Sequence, residues 1–212
     1  MIKFNSLLTV AATALALVAG PSIASSFNGA YWDSNAFSTV DQAIAYTENN
    51  AATATFLSTA IDYPNAGGSI TDNTTLQTFL GADGSTLSGA FTNKLDKSVF
   101  SFSGTLDLIG TQSLKIGSDD GFALKLDGVE VLRHSAPRAF SYTIGSYEFT
   151  GATTFELIYY ENYGNTGVEF QINDTVVTSA MAAAQPAAVP VPAALPMLLA
   201  GLGAFGLIRR RA

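Results

Sequence analysis

Apolar residues recur at every second position through the middle of this chain, and turn-forming residues interrupt the repeat at short intervals. Phe100, Phe102, Leu106 and Leu108 alternate with Ser101, Ser103, Thr105 and Asp107. Leu114 and Ile116 flank Lys115, and Phe122, Leu124 and Leu126 enclose Ala123 and Lys125. Further runs are Val129 and Val131, then Phe140, Tyr142 and Ile144, then Phe155, Leu157 and Tyr159, then Val168, Phe170 and Ile172. A period of two sends successive side chains to opposite faces, so each run predicts a half-buried strand with its apolar residues toward a core. Asp127-Gly128 is a tight hairpin signal. The rhythm predicts an all-β fold, an antiparallel sandwich or barrel-like domain. Two segments break it. Thr74–Leu80, capped by Asn73 or Thr74 and stopped by Gly81, predicts a short helix, and residues Thr39 to Glu48 predict another helical turn.

Ser118-Asp119-Asp120-Gly121 lies between two of these runs and reads as the hinge of a hairpin. Adjacent carboxylates repel each other unless a cation sits between them, and hard oxygen ligands of this kind suit calcium. Asp and Gly are also common in turns for backbone reasons alone, so the four residues by themselves favour a solvated acidic turn.

The ends of the chain set its destination. Lys3 precedes an apolar stretch from Leu7 to Ala19, followed by Pro21 and by Ser22 and Ala24 at the spacing a signal peptidase reads. The apolar core is too short for a membrane span, so residues 1–24 predict a secretory signal peptide cut after Ala24. At the far end an Ala-rich spacer, residues 180–188, leads to Val189-Pro190-Val191-Pro192-Ala193, an apolar stretch from Met197 to Ile208, and Arg209-Arg210-Arg211. Residues 189–212 resemble the PEP-CTERM class of sorting tails, with Pro190-Val191-Pro192 in place of Pro-Glu-Pro, as in the Val-Pro-x-Pro-Ala variants. The resemblance implies an exosortase-type processing enzyme as a partner and a Gram-negative host. Sixteen residues, 193 to 208, are marginal against the roughly 20 that a helix needs to cross a bilayer. The arginines would stay cytoplasmic. A plain C-terminal membrane anchor is the other reading of the same layout.

Between the ends lies a body of about 160 residues, one domain's worth of chain. It holds all seventeen acidic residues of the chain but only six of the ten basic ones, a formal charge of −11. Such a surface repels nucleic acid and anionic membrane while attracting divalent cations. The chain has no cysteine, so disulfides and thiolate metal sites are excluded despite an oxidising destination. His134, in Arg133-His134-Ser135, has no second histidine with which to build a transition-metal site. No Gly-x-Ser-x-Gly elbow supports a serine nucleophile.

The run from Val99 to Ile172 resembles the β-domain named after the anthrax protective antigen, found also in flocculins, epithelial adhesins and some glycosidases. The residues that carry the resemblance are Phe100-x-Phe102-Ser103-Gly104, Ile116-Gly117-Ser118-Asp119-Asp120-Gly121-Phe122-x-Leu124, Asp127-Gly128, Phe155-Glu156-Leu157-Ile158-Tyr159-Tyr160-Glu161-Asn162 and Gly167-Val168-Glu169-Phe170. Gly29-Ala30-Tyr31-Trp32 and Phe56 to Pro64 extend it, more loosely, toward the N-terminus, so the domain is placed at residues 25–179. In the lectin members, two successive Asp residues joined by a cis peptide hold calcium. The resemblance implies that role for Asp119 and Asp120, with Asn162 as a third side-chain ligand and the carbonyls of Gly164 and Thr166 completing the protein ligands. Glu161 is the rival to Asn162. Sugar hydroxyls would fill the remaining positions of the six to eight oxygens that calcium prefers. The loops Glu161–Gly167 and His134–Ala139 would set specificity, with Tyr163 as a stacking ring; Trp32 reads as core.

These features predict an exported calcium-binding protein of the cell surface or extracellular matrix, transiently anchored in the inner membrane, that recognises carbohydrate or exopolysaccharide and is not an enzyme. The competing class is a structural matrix protein whose domain is only braced by calcium. A hydrolase is the third, since seventeen acids offer many carboxylate pairs. The tail carries its own prediction: replacing Pro190 and Pro192 with Ala should trap an unprocessed form in the membrane. Intact-mass analysis of the exported wild type checks it, and a species still carrying residues 197–212 would make the tail a permanent anchor.

Overall fold

The computed structural model describes residues 26–182, so the expectations placed on Ala24, Pro190 and Pro192 lie outside it. No helix among the described residues is long and apolar enough to cross a membrane. The chain forms strands β1 (Phe27–Asp33), β2 (Ala54–Ser58), β3 (Asp62–Tyr63), β4 (Ile70–Thr71), β5 (Ser88–Gly89) and β6 (Ser98–Asp119). These are followed by β7 (Phe122–Leu126), β8 (Val129–His134), β9 (Ser141–Glu161), β10 (Asn165–Ile172) and β11 (Thr175–Val176). Helices α1 (Val40–Asn49) and α2 (Leu76–Leu80) lie between them. The architecture is all-β and antiparallel, as the alternation predicts.

Two strands organise the rest. β6 and β9 pair antiparallel without a register break from Ser98 against Glu161 to Ser118 against Ser141. Run straight, a strand of 22 residues would reach about 70 Å, whereas a body of this size has a radius of gyration near ~15 Å. The ribbon therefore has to bend. Gly110 (φ 82°) and Gly151 (φ 133°) occupy its middle in backbone conformations that other residues rarely adopt.

On one side of the bend, Ser98–Ser103 of β6 pairs with β1, which continues to β2 and β5. The Phe155–Tyr159 stretch of β9 pairs there with β7, and β7 with β8. On the other side, Leu114–Asp119 of β6 pairs with β10, to which β3, β4 and β11 attach. The two halves close on each other: Tyr63 of β3 stacks on Phe102 of β6 at 5.5 Å, and Phe155 of β9 meets Phe170 of β10 edge-on at 6.1 Å. This is the sandwich core. α1 covers the outer face of the first half, where Val40 and Ala43 pack with Trp32, Val99, Ala123, Ile158 and Tyr160. Trp32 is core, as expected. α2 starts two residues later than expected and its cap is neither Asn73 nor Thr74, because Thr75 is the residue whose hydroxyl accepts the Thr78 N–H, at 3.2 Å.

Three expectations are corrected. β6 and β7 do not form a hairpin, because β9 lies between them in the sheet order. Asp119–Asp120 is instead the crossing where the chain leaves β10's side of the sandwich and enters the side of β7. The alternation of Tyr142 and Ile144 marks no core face: both are exposed, Ile144 by 66%. In one unbroken strand, Phe155, Leu157 and Tyr159 turn odd-numbered positions inward, so parity forces even-numbered ones out. Val129 of the β8 run likewise faces solvent, and only Val131 packs against the core. In addition, packing continues into the stretch read as spacer, where Met181 and Ala182 contact the core and Ala182 bridges to Leu106.

Parity makes a prediction. Phe102→Ala should cost roughly 3–5 kcal/mol, the usual range for a truncated buried Phe, whereas Ile144→Ser should change stability by no more than about 0.5 kcal/mol. Urea midpoints of the two variants check the contrast, and equal losses would show that the parity is wrong.

Candidate functional site

Asp119 and Asp120 sit where three connections meet. These are the crossing itself, the loop from His134 to Ser141 and the loop from Glu161 to Asn165. Gly121 allows the crossing to lie flat, since a Cβ there would stand 2.5 Å from the Tyr160 ring and 2.9 Å from the His134 carbonyl oxygen. Gly167 does the same for the neighbouring turn, where a Cβ would meet the Gly68 carbonyl oxygen at 2.2 Å. The peptide between Asp119 and Asp120 is cis, as the resemblance implies.

Both carboxylates are 6% exposed. Asp120 Oδ1 accepts the Arg138 N–H at 3.1 Å and Oδ2 the Asn162 N–H at 2.9 Å. Burial nonetheless raises its pKa above the ordinary carboxylate value. Burial and the neighbouring Asp120 charge push Asp119 up to about 6, while the Ser69 hydroxyl, the Phe140 N–H and Arg138 pull it down. Glu161 lies beneath them, fully buried. Its Oε2 stands 3.2 Å from the Tyr159 hydroxyl, and its Oε1 has no partner among the described residues. Burial, then Asp120 and Asp119, push Glu161 up to about 10, so it is protonated at neutral pH. The Tyr159 hydroxyl is a hub: it donates to the Asp119 carbonyl, lies 2.8 Å from Thr166 Oγ1 and accepts the Gly167 N–H at 3.0 Å.

The remaining expected residues gather in the same corner but are partly engaged elsewhere. The Asn162 amide closes a two-bond pair with the Phe37 backbone, accepting its N–H at 2.7 Å and donating to its carbonyl at 2.9 Å. The Gly164 carbonyl accepts the Asp72 N–H at 2.9 Å, and the Gly164 N–H donates to Asp72 Oδ2 at 2.8 Å. Thr166 turns its hydroxyl into the hub and pairs with Ile70 across β4. Tyr163, at the loop tip, is 60% exposed. Among the described residues no three His, Asp or Glu side chains form a metal cluster. A cation at Asp119 and Asp120 would therefore draw its other ligands from amide, carbonyl and outside oxygens, the donor set calcium accepts.

Arg138 was not singled out by sequence. Its guanidinium donates to Ser118 Oγ and Thr143 Oγ1, both at 2.9 Å, and Ser118 Oγ donates to the Asp120 carbonyl at 2.6 Å. It ties the crossing to β9 and sets a positive charge beside Asp119. Nothing in the spacing of Ser118, Arg138 and Thr143 signals this, because the contact is made by the turn between β8 and β9. His134 makes no side-chain hydrogen bond to a serine or carboxylate among the described residues, and burial and Arg138 lower its pKa.

No protein-family model matches the chain, and no curated protein does. Solved structures match well. A PA14 sugar-binding domain from an RTX adhesin superposes with a TM-score of 0.66 at 23% identity, over 77% of this chain and 100% of that one. The fold is that of a PA14 domain. The PA14 domain of the antifreeze protein MpAFP gives 0.65 at 24% identity, over 80% of this chain and 95% of that one. An anti-sigma factor domain-containing protein gives 0.51 at 15% identity, over 79% of this chain and 50% of that one. The region matched by the resemblance in the sequence is thus folded as a PA14 domain.

The raised pKa values give a pH dependence. A carboxyl whose native pKa exceeds its unfolded value stabilises the fold when protonated, and that contribution is lost as pH rises from the unfolded value through the native one. For Asp119 the window runs from 3.8 to about 6, and for Glu161 from 4.5 to about 10. The metal-free protein should thus have a higher urea midpoint at pH 5 than at pH 8, and Glu161→Gln should flatten the slope. A Gln variant as pH-sensitive as the wild type would show that Glu161 does not titrate there.

Proposed function

We propose that the protein is an exported surface or matrix module that binds calcium through Asp119 and Asp120 and recognises carbohydrate at that ion. The observation that carries the reading is the burial of two adjacent carboxylates on a PA14 scaffold, with no Lys or Arg ion pair to either among the described residues. Removing adjacent anions from water is costly unless a cation or a proton neutralises them. The unpartnered Glu161 Oε1 supports the fit, since a buried oxygen beside the pair is left without a partner in the metal-free protein. Asp119 and Asp120 would hold the ion, with Asn162, Gly164 and Thr166 of the adjoining loop offering further protein oxygens. Bound there, calcium would supply positive charge and would accept saccharide hydroxyls as further oxygen ligands.

The chain's own residues do the remaining work. Arg138 and Asn162 hold the Asp120 carboxylate through their backbone N–H groups, and the Tyr159 hub fixes the Asp119 carbonyl. Asp72 braces the Glu161–Asn165 loop that carries Tyr163. The sugar-binding RTX adhesin domain of the same fold supports a carbohydrate partner. Export, a Gram-negative surface and processing by an exosortase-type enzyme rest on the two ends of the sequence alone.

A glycan-array screen of residues 25–188 with and without calcium tests the reading. Calcium affinity should lie on the order of 10⁻⁴–10⁻³ M, as in extracellular modules, and the melting temperature should rise with the logarithm of calcium concentration. Asp119→Ala with Asp120→Ala should abolish both effects. A calorimetric calcium titration unchanged in the double variant would remove the site, and calcium binding without any glycan signal would leave a calcium-braced structural module.

A further inference from the structure

Lys97 is fixed beside the site by its backbone. Its N–H donates to the Asn162 carbonyl at 2.9 Å, and its own carbonyl accepts Ser34 N–H and Oγ, both at 2.7 Å. Its φ is 55°, and its ammonium lies over the Tyr163 ring, 5.1 Å from the centroid. Asn162 joins this pair to the carboxylates, because its own N–H donates to Asp120 Oδ2. An exposed ring and a cation are therefore held one residue away from the Asp pair.

Lys97 is half-buried as a residue, yet its ammonium forms no ion pair among the described residues, in a corner that holds Asp72, Asp119 and Asp120. Lys115, Lys125 and Arg133 are each paired with a carboxylate, and Arg138 is turned inward on Ser118 and Thr143. Of the two lysines left without an ion pair among the described residues, Lys94 and Lys97, Lys97 is the one whose ammonium is held over the Tyr163 ring. Once a divalent ion neutralises Asp119 and Asp120, a negative group placed over Tyr163 meets an ammonium ready to donate to it. Without that ion the same group meets two carboxylates and is repelled.

We infer that Lys97 and Tyr163 form a specificity pair that selects a carboxylated saccharide, a hexuronate, at the calcium site. The inference rests on the function proposed above and adds the class of sugar. The ring carries the sugar's apolar face, and the ammonium takes the carboxylate. Because the ion pair is solvent-exposed, the acid should bind about three- to fivefold tighter than its neutral methyl ester.

NMR titrations of residues 25–188 with galacturonate and with its methyl ester, at a fixed excess of free calcium, test this. The wild type should prefer the acid, with shifts at the Lys97 ε-methylene and the Tyr163 ring. Lys97→Met should bring the acid down to the affinity of the ester, with ester binding and the calorimetric calcium titration unchanged. Lys97→Arg should keep the preference. Equal affinities for acid and ester in the wild type, or a preference that survives in Lys97→Met, overturn the inference. If the wild type binds calcium and the ester yet shows no preference, only the inference fails; if it binds no calcium, the functional reading fails and takes the inference with it.

Discussion

The uninterrupted pairing of β6 with β9 is the constraint on which this molecule depends. Twenty-one residue pairs in a single register are too long for a body of this size, so the ribbon must fold over and serve both layers of the sandwich. Every other strand is then placed by which half it can join. β1 and β7 flank the first half, and β10 flanks the second. A one-residue slip would put Phe100 and Phe102 on the face opposite Leu157 and Tyr159, so the hydrophobic cost of losing the register is shared along the whole ribbon.

The same ribbon creates the polar corner. Asp119 ends β6 and Glu161 ends β9, but these two ends lie at opposite extremes of the pairing. Folding the ribbon brings them together, and the crossing from Asp119 to Phe122 carries the chain between the layers. The backbone at such a crossing leaves ladder geometry, so its groups are satisfied by side chains and loops: Ser118, Tyr159, Arg138 and Asn162 perform that task. The carboxylates are buried as a result of this closure, and their burial is the source of the raised pKa values of Asp119, Asp120 and Glu161.

Strand identity was largely legible, because alternation is a local property of a pleated backbone. Phe100, Phe102, Phe155, Leu157, Val168 and Phe170 all face the core. The same rule misled at Tyr142 and Ile144, where the apolar period continues on the outer face and only continuity with Phe155–Tyr159 shows which parity is buried. It misled again at Asp119–Asp120, because two successive strands joined by a short turn read as a hairpin unless a third strand is known to lie between them.

By itself, the sequence determined the all-β class, the hairpin at Asp127-Gly128, the core role of Trp32 and the presence of two adjacent carboxylates between strands. Each of these follows from residue type and spacing within about ten positions. Tertiary structure alone decided that Glu161 would be buried beneath the pair with one oxygen unpartnered, that the Asn162 amide would close on Phe37, and that Arg138 and Lys97 would stand as the two cations of the corner. These contacts join residues as much as 125 positions apart. They exist only because the long ribbon folds back on itself, and no local pattern encodes where its two halves will meet.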